Sequence, residues 1–441
     1  LQLVYIVFIS LLISACSVHK DTHPSAQEET LLGLEKIADL EYIPQDVFVY
    51  STGINKEALE LEDFQNNYFR VWNIDKISID LKDAMWSYDA FKYGNSYGEN
   101  LQLLSQEFFD TALENSNFTD YASINKRALS LNLLNLRAFP TEKPLLRDPK
   151  KAGEGFPFDY MQNSSIAANK PLFVSHYSKD KQWVFVESSF AFGWVKSKDI
   201  VFIEKKYTDL WQNAEQIFIS SDNIPLYSQN GDFLFKSRVG MMLALISEDE
   251  DTYTVLTVSK DENSQAIYFN SKILKTYSHK GVLAFNSKNI DKIISGLTFS
   301  NYGWGGMYGQ RDCSSTLRDF YTPFGLWLPR NSSRQAVTGK TISLNGLSDE
   351  EKINLIKAEA KPFETLLYKR GHIVLYVGTL KDEVIVFQNV WGVKTQEDGI
   401  EGRYVIGKSV FSTLELGKNL KEYDDNASLL RNLQGLSFPM E

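Results

Sequence analysis

Cysteine is the scarcest reactive residue in this sequence. The 441 residues hold two, Cys16 and Cys313, so no disulfide framework is available. Histidine is nearly as rare. Of five, only His176, His279 and His372 fall in the body of the chain, and none has the spacing of a zinc ligand. No metal and no other cofactor is expected. The 46 Lys and Arg are outnumbered by 56 Asp and Glu, giving a net charge of −10, and they form no cluster, which excludes nucleic-acid binding as a function class. The apolar run at 3–13 is too short for the ~20 residues of a membrane-spanning helix. What is present is ordinary globular material: 43% hydrophobic and 13% aromatic residues, enough for two to four domain cores.

The run LVYIVFISLLI (3–13) has the length of a signal-peptide core and leads into Ile13-Ser14-Ala15-Cys16. Those four residues resemble the lipobox of bacterial lipoproteins, which implies lipidation of Cys16 as the first mature residue. Neither a Met nor a basic segment precedes the run, a departure from that pattern. The alternative is an uncleaved anchor; either way the body is exported. Ser17 after the cysteine points to an outer membrane facing the periplasm if the cell has one. If Cys16 carries lipid, Cys313 has no disulfide partner and is a free thiol in an exported protein.

Residues 1–16 are thus expected to be the signal, and the polar stretch 17–35 a tether. Over 36–128 apolar residues recur at three- and four-residue steps, as in 61–73 and 99–116, so this segment is expected to be mostly helical. Phe64, Tyr68, Phe69 and Trp72 read as core or interdomain packing. From 129 to 283 short alternating runs separated by polar turns predict two small all-β units, 129–204 and 205–283. The openings LRAFPTEKPLLRD and IFISSDNIPLYSQNGD and the Gly-Trp-Val closure resemble bacterial SH3-like domains. His176 lies in a strand pattern and reads as structural. Tyr160, in the loop FPFDYMQNSS, is either half-buried or a wall of a substrate groove.

The last unit, 284–441, carries the chemistry. An aromatic-glycine turn, Tyr302-Gly303-Trp304-Gly305-Gly306, precedes Asp312-Cys313-Ser314-Ser315 and a short helical pattern ended by Thr322-Pro323. Asp312 is an N-cap candidate, which puts Cys313 in the first helical turn. Backbone N–H groups and the helix dipole there favour a thiolate and should lower its pKa. The bland reading is a small buried hydrophobe. The runs 371–378 and 383–392 alternate around a turn expected near Leu380. Centred there, His372 opposes Gln388, Val374 opposes Val386 and Tyr376 opposes Val384, all on one face. Gln388 then orients one nitrogen of His372 and leaves the other for Cys313, the logic of nucleophile, base and orienter. A one-residue slip would substitute Asn389.

Tyr-x-Trp-Gly-Gly, Asp-Cys-Ser, Leu-Pro-Arg-x-Ser and Gly-His-Ile-x-Leu-Tyr-Val-Gly occur in this order and resemble the NlpC-type cell-wall peptidase family over 300–410. The helical segment and paired SH3-like units match one branch of it more loosely. The resemblance implies an α+β multidomain chain with a papain-like catalytic domain. It implies a cysteine endopeptidase cutting the γ-D-glutamyl–diamino acid bond of peptidoglycan stem peptides or muropeptides. It matches Cys313 to the nucleophile, His372 to the base and Gln388 to the third polar position. It matches Tyr302, Trp304, Asp312, Ser314 and Ser332 to groove-lining positions. Asn331 departs from the pattern, since relatives that demand a free N-terminal L-alanine carry Asp there; a neutral Asn loses that ion pair. The alternative is that Tyr302 and Trp304 merely pack the turn and Arg330 is a surface charge. The expected molecule is a monomeric, lipid-anchored envelope enzyme. The rival functions are a non-catalytic wall-binding lipoprotein, and the same fold acting as amidase or acyltransferase.

Overall fold

A computed structural model describes residues 36–441 other than 152. The apolar run, Cys16 and the tether all lie outside the described residues. Among the described residues no helix is long and apolar enough to cross a membrane.

The N-terminal segment is built of short helices joined by turns. The periodic stretch 99–116 is helical only over Gln106–Asn115, because Leu101 takes a left-handed φ of 60° and Ser105 caps the helix by accepting from the Phe108 N–H. The segment is stitched to the far end of the chain. Asp39 accepts from the backbone N–H and hydroxyl of Thr413, and Gln45 exchanges two hydrogen bonds with the Phe411 backbone. Those contacts cover an otherwise open sheet edge. Phe64, Tyr68, Phe69 and Trp72 are fully buried in a cluster with Trp194, Trp211 and Phe218, so they cement the two β units together.

The first β unit is a seven-stranded antiparallel sheet and the second a five-stranded one. The expected border at 128/129 falls inside a strand, Lys126–Ser130. That strand pairs with Pro171–Tyr177 on one side and Ile200–Phe202 on the other. Its buried Ala128 and Leu129 belong to the β unit's packing, so the β structure begins earlier than expected. The helix Lys205–Asn213 separates the two sheets.

The C-terminal unit places two helices, Ser287–Leu297 and Cys313–Tyr321, against a six-stranded sheet. Its strands are β1 (Lys340–Ser343), β2 (Leu366–Lys369), β3 (His372–Leu380), β4 (Glu383–Glu397), β5 (Ile400–Thr413) and β6 (Gly435–Phe438), in spatial order β1-β6-β2-β3-β4-β5. One face presents Ile373, Leu375 and Phe387 to Leu317 and Phe320 of the cysteine helix. The other buries Val374, Tyr376, Val384 and Val386 beneath the helix Asp349–Glu359. Alternation along β3 and β4 is what gives each face its own helix.

The β3–β4 register differs from expectation. The turn sits at Lys381 and Asp382, both with positive φ (48° and 71°) as a two-residue hairpin demands. Leu380 pairs with Glu383 and Gly378 with Ile385; after a bulge at Val377, Tyr376 pairs with Val386 and Leu375 with Phe387. Tyr376 was expected opposite Val384. The shift is two residues, arising from the later turn and the bulge together, and an even shift preserves the face on which every side chain lies. His372 and Gln388 are therefore diagonal rather than directly opposed.

Candidate active site

Cys313 opens its helix. Asp312 is the N-cap: its carboxylate accepts from the Ser315 N–H at 2.9 Å, while the Ser315 hydroxyl accepts from the Asp312 N–H at 2.9 Å. This reciprocal cap fixes the direction of the first turn and of the sulfur on it. Cys313 is 8% exposed, so it is nearly closed off from solvent. Its sulfur accepts from the backbone N–H of Ile373. His372 is the residue before Ile373, so sulfur and imidazole flank the same peptide group.

The expected low thiol pKa is not what the surroundings produce. Burial, and after it the Asp312 carboxylate, push the Cys313 thiol up to about 12; the Ile373 N–H and Arg330 pull the other way and do not prevail. The helix start does not offset the loss of water and an adjacent negative charge. Burial likewise drives the His372 ring down to about 4, with the hydrogen bond to Gln388 opposing. Both groups are neutral near pH 7.

The orientation of His372 follows from a chain of hydrogen bonds. The Ser412 hydroxyl donates to the Thr413 carbonyl at 2.9 Å, so its oxygen is free to accept from the Gln388 amide nitrogen at 2.7 Å. That fixes which end of the amide faces the ring: Gln388 Oε1 lies 2.8 Å from His372 Nε2. A carbonyl oxygen only accepts, so Nε2 carries the proton and Nδ1 keeps its lone pair. Asn389 points the other way. Its amide donates to the Arg311 carbonyl and to Thr316, bracing the cysteine helix.

Arg330 is no surface charge. Its guanidinium grips Asp312 at 2.5 and 3.1 Å and donates to Ser314 Oγ and Ser164 Oγ, both at 2.8 Å. Burial alone would raise the Asp312 pKa, but Arg330 holds the carboxyl below the usual range, so it stays ionised beside the cysteine. Ser164 lies on the first β unit, which makes this buried fork a joint between that unit and the site.

A second joint is made by glycine. A Cβ on Gly305 would lie 2.4 Å from the Gln162 carbonyl, and one on Gly306 2.1 Å from Ser165 Oγ; both have positive φ. Only glycine lets the turn press against the strand Gln162–Ile166. Trp304 then donates from its indole to the Asp159 carbonyl at 3.0 Å and packs against Phe158 and Tyr160. Tyr302 packs at a tilt against Trp391, and Trp391 meets Phe158 edge-on. Burial first, then the neighbouring Cys313 and Asp312, hold the Tyr302 phenol well above its ordinary pKa, so it faces the reacting corner as a neutral donor. Tyr160, Trp304, Tyr302 and Trp391 form one aromatic wall drawn from two units.

Asn331 caps the short helix Ser332–Gln335, its side-chain oxygen accepting from the Ser333 N–H and hydroxyl. Ser332 is half-buried in that turn. Sequence reasoning missed Arg330, Trp391 and Ser412. Arg330 had a signal in its own motif, Leu-Pro-Arg-x-Ser; Trp391 follows Gln388 by three residues in a Val-Trp-Gly run; Ser412 had none. Among the described residues no three His, Cys, Asp or Glu side chains gather as a metal would require.

Comparison with known families agrees with this architecture. Residues 300–398 match the NlpC/P60 family model. The C-terminal domain belongs to the NlpC/P60 family. It is a cysteine peptidase domain, and it is preceded by matches to the NLPC_P60 stabilising N-terminal domain (5–121), an SH3 domain of SH3b1 type (144–196) and an SH3 domain of SH3b2 type (205–250). A solved NlpC/P60 endopeptidase from Photobacterium damselae subsp. piscicida superposes with a TM-score of 0.78 at 23% identity, over 90% of this chain and 98% of that one. The NlpC/P60 protein from Bacillus cereus ATCC 10987 gives a TM-score of 0.45 at 15% identity, over 63% and 82% of the two chains. A search of curated proteins found no match. The fold is thus the NlpC/P60 one with its stabilising segment and paired SH3 domains.

Proposed function

We propose that this NlpC/P60 chain hydrolyses the γ-D-glutamyl–diamino acid bond of peptidoglycan stem peptides, with Cys313 as nucleophile, His372 as base and Gln388 as orienter. The observation that carries the triad is the Ser412–Gln388–His372 chain, which leaves Nδ1 as the basic nitrogen next to the peptide group that contacts the sulfur. As Sγ attacks the scissile carbonyl carbon, Nδ1 takes the thiol proton. The carbonyl electrons move to oxygen, where N–H groups at the start of the cysteine helix stabilise them. The imidazolium then gives its proton to the departing amine, leaving a thioester on Cys313. Water adds to that thioester with His372 again as base, releasing the γ-D-glutamyl acid and the free thiol. Because thiol and ring are both neutral at rest, proton transfer accompanies attack instead of preceding it. The oxyanion contacts and exclusion of water on binding lower its cost.

The aromatic wall of Tyr160, Trp304 and Tyr302 supports a peptide lying across both units. With Asn331 neutral and its oxygen spent on a cap, that reading includes acceptance of peptides whose N-terminus is not a free amine. Cys16 is proposed to carry lipid and hold the body at the cell envelope. Digestion of defined stem peptides, with and without a free amino terminus, tests the bond by mass spectrometry. Fragments cut between D-glutamate and the diamino acid, absent with Cys313→Ala, are expected. Cleavage at the sugar–peptide junction would make it an amidase instead.

A further inference from the structure

Behind the cysteine helix, on the side away from Cys313, lies a partly open cavity of about 50 Å³ where all four units meet. Tyr68 reaches it from the N-terminal segment, Lys170 from the first β unit, Arg238 from the second, and Arg318, Asp319 and Arg330 from the catalytic domain. Its surroundings are rich in positive charge. Five cations, Lys170, Arg238, Arg311, Arg318 and Arg330, face three carboxylates, Asp222, Asp312 and Asp319.

The three carboxylates are all committed. Asp222 pairs with Arg311, Asp319 with Arg311 and Arg238, and Asp312 with Arg330. That leaves Lys170 and Arg318, neither of which has an ion-pair partner among the described residues. Lys170 is 9% exposed, and its Nζ rests 3.4 Å from the centre of the Tyr68 ring. The Arg318 guanidinium lies 4.0 Å over Phe190 and 5.2 Å from the Trp327 ring, with only Nε engaged, by the Leu328 carbonyl. Aromatic faces offset part of the charge. They do not replace the water lost by buried Lys170 and half-buried Arg318, and an unpaired charge withdrawn from water is costly.

We propose that this junction cavity binds a small inorganic anion, of the size of chloride, between Lys170 Nζ and the free edge of the Arg318 guanidinium. The space is adequate for one such ion with a water, since a single water needs roughly 10–15 Å³. The one carboxylate among the lining residues, Asp319, is bonded through Oδ2 to Arg238 and Arg311, and the cations around it outnumber it. The ion would join all four units from behind, so its effect is on how firmly the SH3 units and the N-terminal segment hold the catalytic helix. In its absence burial favours the uncharged amine: it already pulls Lys170 well below its ordinary pKa, and takes Arg318 down to about 10.

The test is thermal unfolding of the whole chain as gluconate, too bulky for the cavity, is replaced by chloride at constant ionic strength. A saturable rise in Tm of a few degrees, lost with Lys170→Met, is expected. Superimposable curves in the two salts would overturn the proposal. Should Lys170→Met fail to fold, crystals of the unaltered chain grown in bromide decide: an anomalous peak between Lys170 and Arg318 is required, and its absence refutes the site.

Discussion

His176 and His372 are both imidazoles held in strands and enclosed by protein, yet they are wired differently. His176 spends both nitrogens, Nδ1 against Ser175 Oγ and Nε2 against the Ser116 carbonyl, each at 2.9 Å. His372 spends Nε2 on Gln388, and the fixed amide leaves Nδ1 with a lone pair beside Cys313's contact peptide. Burial is the leading cause of a lowered pKa at both rings. A depressed pKa therefore does not distinguish a base from a structural ring. The uncommitted nitrogen does.

Four experiments sharpen or break that contrast. His372→Ala should lower kcat/KM on a stem peptide by about 10³-fold, within the range for loss of a general base; His176→Ala should leave it nearly unchanged. Equal losses would erase the distinction. Gln388→Ala removes a hydrogen bond to a group that becomes charged in the reaction, worth about 1.5–3 kcal/mol, and so should cost roughly 10- to 100-fold. A smaller effect comes from Gln388→Glu, whose charge stabilises the imidazolium. The acid limb of the kcat/KM profile, expected near the ring's value of about 4 in the unaltered enzyme, should move up by about 1 unit or more.

The smallest effect on catalysis, and the largest on folding, belongs to His176→Ala. It loses two buried hydrogen bonds and should destabilise by about 1–3 kcal/mol, read as a lower denaturation midpoint at constant slope. The same rings set a pH dependence of stability. His372 is depressed from 6.5 to about 4, so the unfolded chain binds the proton first. Stability from this group is complete above pH 6.5 and falls as pH drops toward 4.

Much of this contrast was legible in the residues, for reasons that can be named. Period-two alternation put His372 and Gln388 on one face, and that parity survived a two-residue change of register. The cap at Asp312 was readable because Asp before a helical pattern has few other uses. The turn position was not readable. Lys381-Asp382 lacks the glycine that marks most such turns, and a bulge at Val377 depends on packing by both neighbouring helices. The thiol's environment was misjudged because a helix start is a local feature, whereas the burial that outweighs it comes from tertiary structure; the opposing charge of Asp312 stood next to it in the sequence. Arg330 was underrated for the same reason: its partner Ser164 is 166 residues away.

Attack by Cys313, with His372 as its base, is the step on which the proposed reaction depends. Intact-mass spectrometry of enzyme mixed with a stem peptide and quenched in acid within one turnover tests this directly. The prediction is a transient adduct of the γ-D-glutamyl fragment located on Cys313, present in the unaltered chain and absent with His372→Ala. An adduct on any other residue, or undiminished acylation without His372, would contradict it.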